Sequence, residues 1–200
     1  MNSYPVKKLL INWYDTNKRD LPWRTQLKNK QFDPYKILIS EIMLQQTTVS
    51  TVVKRYGEFI KKWPTVSDLS KASKSQILKF WSGLGYYSRA RNLKKTSQVI
   101  IKNFKGKVPE NFEDLKSLPG IGNYTASAIL AIAFNKPYIP LDGNIERVLK
   151  RYLYLKKENE IQKENLIEKK SVFGLSQRSS DYAQALMELG ALICKPNNPL

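Results

Sequence analysis

Glu41 and Asp142, together with the glycine pair Gly120 and Gly122, are the residues of this chain whose types and settings suit chemistry. Histidine is absent. Acid–base work near neutral pH therefore falls to carboxylates, tyrosine or lysine. Glu41 sits among Ile37, Leu38, Ile42 and Leu44. On the apolar face of a helix, desolvation raises a carboxyl pKa, and the group can hold a proton near neutrality. The alternative is a carboxylate paired with a neighbouring Arg or Lys. Asp142 falls in a Pro-Leu-Asp-Gly-Asn turn, eighteen residues past Tyr124.

The glycines stand in Leu118-Pro119-Gly120-Ile121-Gly122, directly before a helical pattern. A tight Gly-x-Gly turn that opens a helix presents bare N–H groups at the positive end of a helix dipole, which suits phosphate. The plainer alternative is a mere connection between two helices.

The positioning elements read as helices. Ala126, Ile129, Leu130 and Ile132 are spaced for one buried face, with Asn123 as the expected cap. Asp33-Pro34 starts the helix that carries Glu41. Gln45, Gln46 and Thr47 follow it, able either to reach base edges or to cap its end. Residues 5–16 predict a helix with Leu9, Leu10, Trp13 and Tyr14 inward, and 25–32 a polar linker. Ser73 and Gln76 predict a capping box. Tyr86 and Tyr87 open another helix, crowded by Arg89, Arg91, Lys94 and Lys95. Rings beside cations suit a nucleic acid, or they are core tyrosines under a solvated face. Residues 109–118 predict a short helix before the hairpin, 156–170 a solvated mixed-charge segment, and 180–193 a last helix. No strand pattern stands out, so the expected fold is all-α.

Composition narrows the partners. Lys plus Arg is 34 against 17 acids, a net charge of +17. That excess points to a polyanion, nucleic acid first. An anionic membrane surface or a ribosomal-type role are the alternatives, but low-complexity basic tails are missing. Cys194 is the sole cysteine, which excludes an internal disulfide and disfavours zinc. The N-terminal stretch lacks the apolar run of a signal peptide, and no stretch is long enough to span a bilayer. A cytoplasmic, monomeric protein is expected.

Taken together, LPGIGNYTASAI, LDGNIERVL, SEIMLQQT, GLGYYSRARNL and YAQALMELGALIC resemble the helix–hairpin–helix DNA glycosylases with a Gly/Pro-rich loop and an aspartate, most closely the MutY-type adenine glycosylases. The resemblance runs from about Leu21 to Pro199. It implies two helical lobes with a cleft for a flipped base. One is a six-helix barrel over 25–136 with the helix–hairpin–helix near 111–135. The other joins 1–24 to 137–200.

The resemblance further implies that Glu41 is the catalytic acid and Asp142 the carboxylate beside the sugar, with Tyr124 and Asn144 in support. It places Gln45 and Tyr86 near the orphaned guanine lesion and Gln184 in the adenine pocket. With Gln46, Thr47, Arg89, Arg91, Leu118, Gly120 and Gly122, these are the expected DNA contacts. The implied substrate is duplex DNA with adenine opposite 8-oxoguanine or guanine. Breaking an N-glycosidic bond passes through a sugar cation, which calls for one proton donor and one ionised carboxylate. Tyrosine at 124, where endonuclease III relatives carry lysine, implies base removal without strand cleavage. A strand-cutting glycosylase and a non-catalytic DNA-binding fragment are the rival readings. The family also implies a 4Fe-4S cluster on four cysteines. Cys194 matches the first, and the sequence ends at Leu200, as in a truncated relative.

Overall fold

The computed structural model describes residues 4–27, 31–152 and 177–200. The expected mixed-charge segment at 156–170 lies outside them. The described chain is helical, with one isolated antiparallel bridge, Gln26 to Phe32, inside the stretch expected to be a polar linker. Phe32 is buried there.

Local chemistry starts most helices. Helix α1 is Tyr4–Asn17. Its inward residues are Leu10, Ile11 and Tyr14, whereas Leu9, expected inside, is 68% exposed. Helix α2 is Pro34–Leu44, capped by the Asp33 carboxylate on the N–H groups of Tyr35 and Lys36. Helix α3 is Val49–Lys62, capped by Thr48. Reciprocal capping boxes open α4, Val66–Lys71, and α5, Lys74–Trp81, the latter through the expected Ser73 and Gln76. Helix α6 is Ser88–Phe104 and α7 is Phe112–Lys116, shorter than expected because Asn111 caps it late.

Helix α8 is Asn123–Phe134. Asn123 is its first helical residue rather than its cap; Gly122 holds the cap position without a side chain. The hairpin before it needs glycine at one point. Gly120 has φ +82°, and a Cβ there would meet Asn92 Cβ at 2.9 Å. Helix α9 is Gly143–Tyr152 and α10 is Ser179–Glu188. The expected last helix is interrupted: Leu189–Ile193 form a π-helical turn.

Two apolar clusters organise these elements. The larger gathers residues from Leu21 to Ala133, with α2 and α8 packed together at its centre. Both helices are nearly all buried, which explains why α8 shows no polar face. The smaller joins α1 to Ile139, Ile145, Val148, Leu149, Tyr182, Ala185 and Leu186. Leu21 and Trp23 belong to the larger cluster, on the other side of the division expected at residue 24. Met187 touches both clusters. Seven helices, counting short α4 and α7, occupy residues 34–134, where six were expected.

Candidate active site

Glu41 lies mid-way along α2 and is 4% exposed. Among the described residues it makes no ion pair. Its Oε2 instead accepts a hydrogen bond from the Tyr124 hydroxyl at 3.1 Å. Burial, with the nearby charge of Asp142, pushes its carboxyl up to about 7 against that hydrogen bond. Tyr124 comes from the first turn of α8, and burial followed by the Glu41 and Asp142 charges raises its hydroxyl well above its ordinary value.

Asp142 starts α9. Its Oδ1 accepts the Ile145 N–H at 2.7 Å and its Oδ2 accepts the Asn144 side-chain amide at 3.1 Å. Burial raises its carboxyl above the usual value, while these bonds and Arg147 oppose the rise. Asn144 is fixed in turn: its Oδ1 accepts from Arg147 Nη2 at 2.9 Å. Arg147 also donates to the carbonyls of Gly190 and Cys194, both at 2.7 Å. Two carboxyl groups thus share one site with different environments. Glu41 is suited to hold a proton at neutral pH; Asp142 is bound by donors that favour its ionised form.

Two cavities meet at Glu41, Tyr124 and Asp142. The smaller, about 240 Å³, adds Trp23, Arg24, Asn144, Gln184 and Glu188. The larger, about 560 Å³, adds Gln45, Gln46, Tyr86, Arg89 and Asn92. A roomier groove of about 680 Å³ lies between α6 and α7 and contains none of the three.

The expected DNA contacts separate into groups. Gln46, Tyr86 and Arg91 are exposed. Tyr86 at 57% and Tyr87 at 42% exposure are not core tyrosines. Gln45 reaches across to the hairpin, donating to Thr125 Oγ1 at 3.2 Å and the Gly120 carbonyl at 3.4 Å. Leu118 is buried, so only its backbone is left for contact, and its carbonyl accepts the Ile121 N–H. Gln184 is buried in the wall of the smaller cavity. Arg89 departs most from expectation: it is 6% exposed and its guanidinium is bonded to carbonyls of the protein. Burial and those acceptors take it away from phosphate. Lys94 likewise donates to the Ser70 carbonyl.

The smaller cavity also holds polar residues that the sequence did not single out. Glu188 is fully buried and binds Arg19 at 2.8 Å and Arg24 at 2.7 Å. Burial pushes its carboxyl up, but the two guanidiniums outweigh this and hold it below its ordinary value. Its signal in the sequence was slight: Glu188 only extends the polar row of Ser180 and Gln184 at i, i+4 spacing. Arg19 and Arg24 carried no such signal, since their partner is more than 160 residues away.

The four-thiolate cluster does not fit the residues present. The 200 residues supply one cysteine, and the described residues contain no group of His, Cys, Asp or Glu able to hold a metal ion. Cys194 Sγ accepts instead from Arg151 at 3.3 Å. No helix among the described residues is long and apolar enough to cross a membrane.

Residues 39–171 match the family described as HhH-GPD superfamily base excision DNA repair protein. The adenine DNA glycosylase of Rattus norvegicus is 41% identical over 97% of this chain and 39% of its own length. That of Buchnera aphidicola subsp. Baizongia pistaciae (strain Bp) is 43% identical over 100% of this chain and 56% of its own. The chain thus spans about half, or less, of these curated relatives. Among solved structures, a thermostable thymine-DNA glycosylase superposes with a TM-score of 0.86 at 33% identity, covering 98% of this chain and 89% of that one. A non-covalent endonuclease III–DNA complex shares the fold, with a TM-score of 0.79 at 21% identity over 100% and 90% of the two chains. With the buried carboxyl, the capping aspartate and the glycine hairpin in one fold, these likenesses settle the family: the chain belongs to the HhH-GPD superfamily of base excision DNA repair proteins.

Proposed function

We propose that this chain is a monofunctional adenine DNA glycosylase, acting on adenine mispaired with 8-oxoguanine or guanine in duplex DNA. The observation that carries the reading is a buried, protonatable Glu41 hydrogen-bonded to Tyr124 where two cavities meet, beside Asp142. The target adenine flips into the smaller cavity. Arg24 and Gln184 there offer a donor and an acceptor to its edge, with Arg24 held by Glu188. Glu41 protonates the departing purine, and the C–N bond breaks toward a sugar cation. Ionised Asp142 stabilises that cation, and water adds to the sugar carbon. Asn144 holds the Asp142 carboxylate in place, and Tyr124 fixes the Glu41 carboxyl. Tyrosine at 124 cannot form the imine that a lysine would, so the abasic strand stays intact.

Single-turnover assays on a duplex with adenine opposite 8-oxoguanine test this. Release of adenine, an uncut abasic strand and little borohydride-trapped complex are expected. Glu41→Gln should keep DNA affinity and lose roughly a hundredfold or more in excision rate, the usual worth of a positioned proton donor. Excision within a few-fold of wild type would remove Glu41 from the role. Thymine excision is the second reading, favoured by the 33% identical thymine-DNA glycosylase, whose chain this one nearly spans. Release of thymine from a thymine–guanine duplex, with none from the adenine mismatch, would decide for it.

A further inference from the structure

Arg89 is conspicuous because nothing in the proposed chemistry uses it. It projects from the first turn of α6 and is buried. Its Nη1 donates to the carbonyls of Ile42 at 3.2 Å, Met43 at 2.7 Å and Gln45 at 2.5 Å. Its Nη2 donates to Thr47 Oγ1 at 2.9 Å, and to the carbonyls of Leu84 at 2.8 Å and Gly85 at 3.2 Å. One planar fork thus grips two loops. The Ile42 and Met43 carbonyls belong to the last turn of α2, where helical partners run out. The guanidinium also lies over the rings of Trp81 and Tyr86, 5.4 and 5.6 Å from their centroids.

Each gripped loop ends in a residue with an unusual backbone. Gln46 has φ 53° and Tyr86 has φ 44°. Side chains with a Cβ rarely adopt this region, and it persists where surrounding contacts over-determine it. Both side chains are exposed and both line the larger cavity. That cavity adjoins the smaller one through Glu41, Tyr124 and Asp142. On the proposed reading, a base in the smaller cavity leaves its gap in the duplex beside the adjoining larger one. An aromatic ring can stack there and an amide can read a base edge.

We infer that Arg89 is a positioning residue, clamping the Gln46 loop and the Tyr86 loop into one preformed reader of the base opposite the flipped nucleotide. The inference rests on the mismatch-glycosylase reading. A rigid fork is needed because the acceptors lie on two separate loops. A lysine ammonium is a single point donor and cannot span them in the same way.

The test compares affinities for two duplexes of the same sequence. One holds uncleavable 2′-fluoro-adenosine opposite 8-oxoguanine; the other holds it opposite thymine. Wild type should prefer the first. Arg89→Lys should lower that preference about tenfold, through loss of the two-loop clamp, while affinity for the matched duplex stays within about twofold, since a guanidinium buried against carbonyls holds no phosphate. A purely structural role predicts equal losses on both duplexes, and an unchanged ratio overturns the inference. If Arg89→Lys does not fold, Trp81→Phe removes the ring N–H that holds the Gly85 carbonyl beside the guanidinium, and the same two outcomes apply. A wild type without mismatch preference would sink the mismatch reading along with the clamp. A wild type whose preference survives in the variant sinks the clamp alone.

Discussion

Among single residues, Glu41 is caught between function and stability. Its carboxyl titrates near 7, above the ordinary 4.5. The folded protein therefore binds this proton more tightly than the unfolded chain. The stability this gives is full below the unfolded value and is lost as pH rises through about 7. A tenfold change in proton affinity is worth about 1.4 kcal/mol, so ionising the buried group costs roughly 3 kcal/mol at most. Glu41→Gln should thus raise Tm at pH 8 and leave it nearly unchanged at pH 4.5. Thermal melts at both values check this; equal effects at the two pH values would mean that the carboxyl titrates in its ordinary range. In the proposed mechanism the same proton sets the rate. Single-turnover excision should fall on the alkaline side of about 7 as Glu41 loses its proton. It should also fall in acid as Asp142, itself raised, becomes neutral. A flat profile between pH 6 and 9 would rule out Glu41 as the donor.

Among the elements, the π-helical turn after α10 bears on where Asp142 sits. Gly190 lies in that turn, and a Cβ on it would stand 2.6 Å from Asn144 Cβ and 3.0 Å from the Asn144 carbonyl. The backbone of α9 cannot yield cheaply, because Arg147 ties it to the Gly190 and Cys194 carbonyls. Gly190→Ala should therefore push Asn144 off Asp142. Overpacking of this kind costs about 1–3 kcal/mol in stability. The expected kinetic signature is a lower kcat with DNA affinity kept. Gly57→Ala is the control: nothing lies within 4 Å of its Cβ position, inside α3. It should stabilise by about 0.4–1 kcal/mol and leave catalysis alone. If Gly190→Ala behaves like Gly57→Ala, the close approach has no catalytic meaning.

Across the molecule, charge is divided between internal and external duties. Arg19, Arg24, Arg89, Arg147 and Arg151 are spent on the protein's own carboxylates and carbonyls. Much of the remaining excess of +17 is carried by lysines on the surface. Duplex binding should accordingly weaken with salt, the log–log slope being about −0.9 for each phosphate neutralised. Gly120→Val, which strains a φ of +82° and meets Asn92, should weaken matched and mismatched duplexes alike. Titrations at several salt concentrations measure both effects. Affinity independent of salt would contradict a phosphate-based interface.

Local and compositional features were legible along the chain. Helix starts at Asp33 and Ser73 are visible because a cap and its target N–H lie within three residues. The burial of Glu41 was legible from its apolar neighbours, and the charge excess needs no structure at all. Which polar groups meet was settled only by the packing of the folded chain. Arg89 looked like a phosphate ligand in a basic run; four of its six partners lie more than 40 residues back, at the end of α2 and in the turn after it, and they claim it first. Glu188 was unremarkable until the fold placed Arg19 and Arg24 against it. Leu9 looked interior by periodicity, yet the packing of α1 on α10 turned Ile11 inward instead. Spacing along the chain reports one face of one helix. Desolvation and hydrogen bonding depend on what the opposite element brings, and that pairing is set by the packing of the whole core.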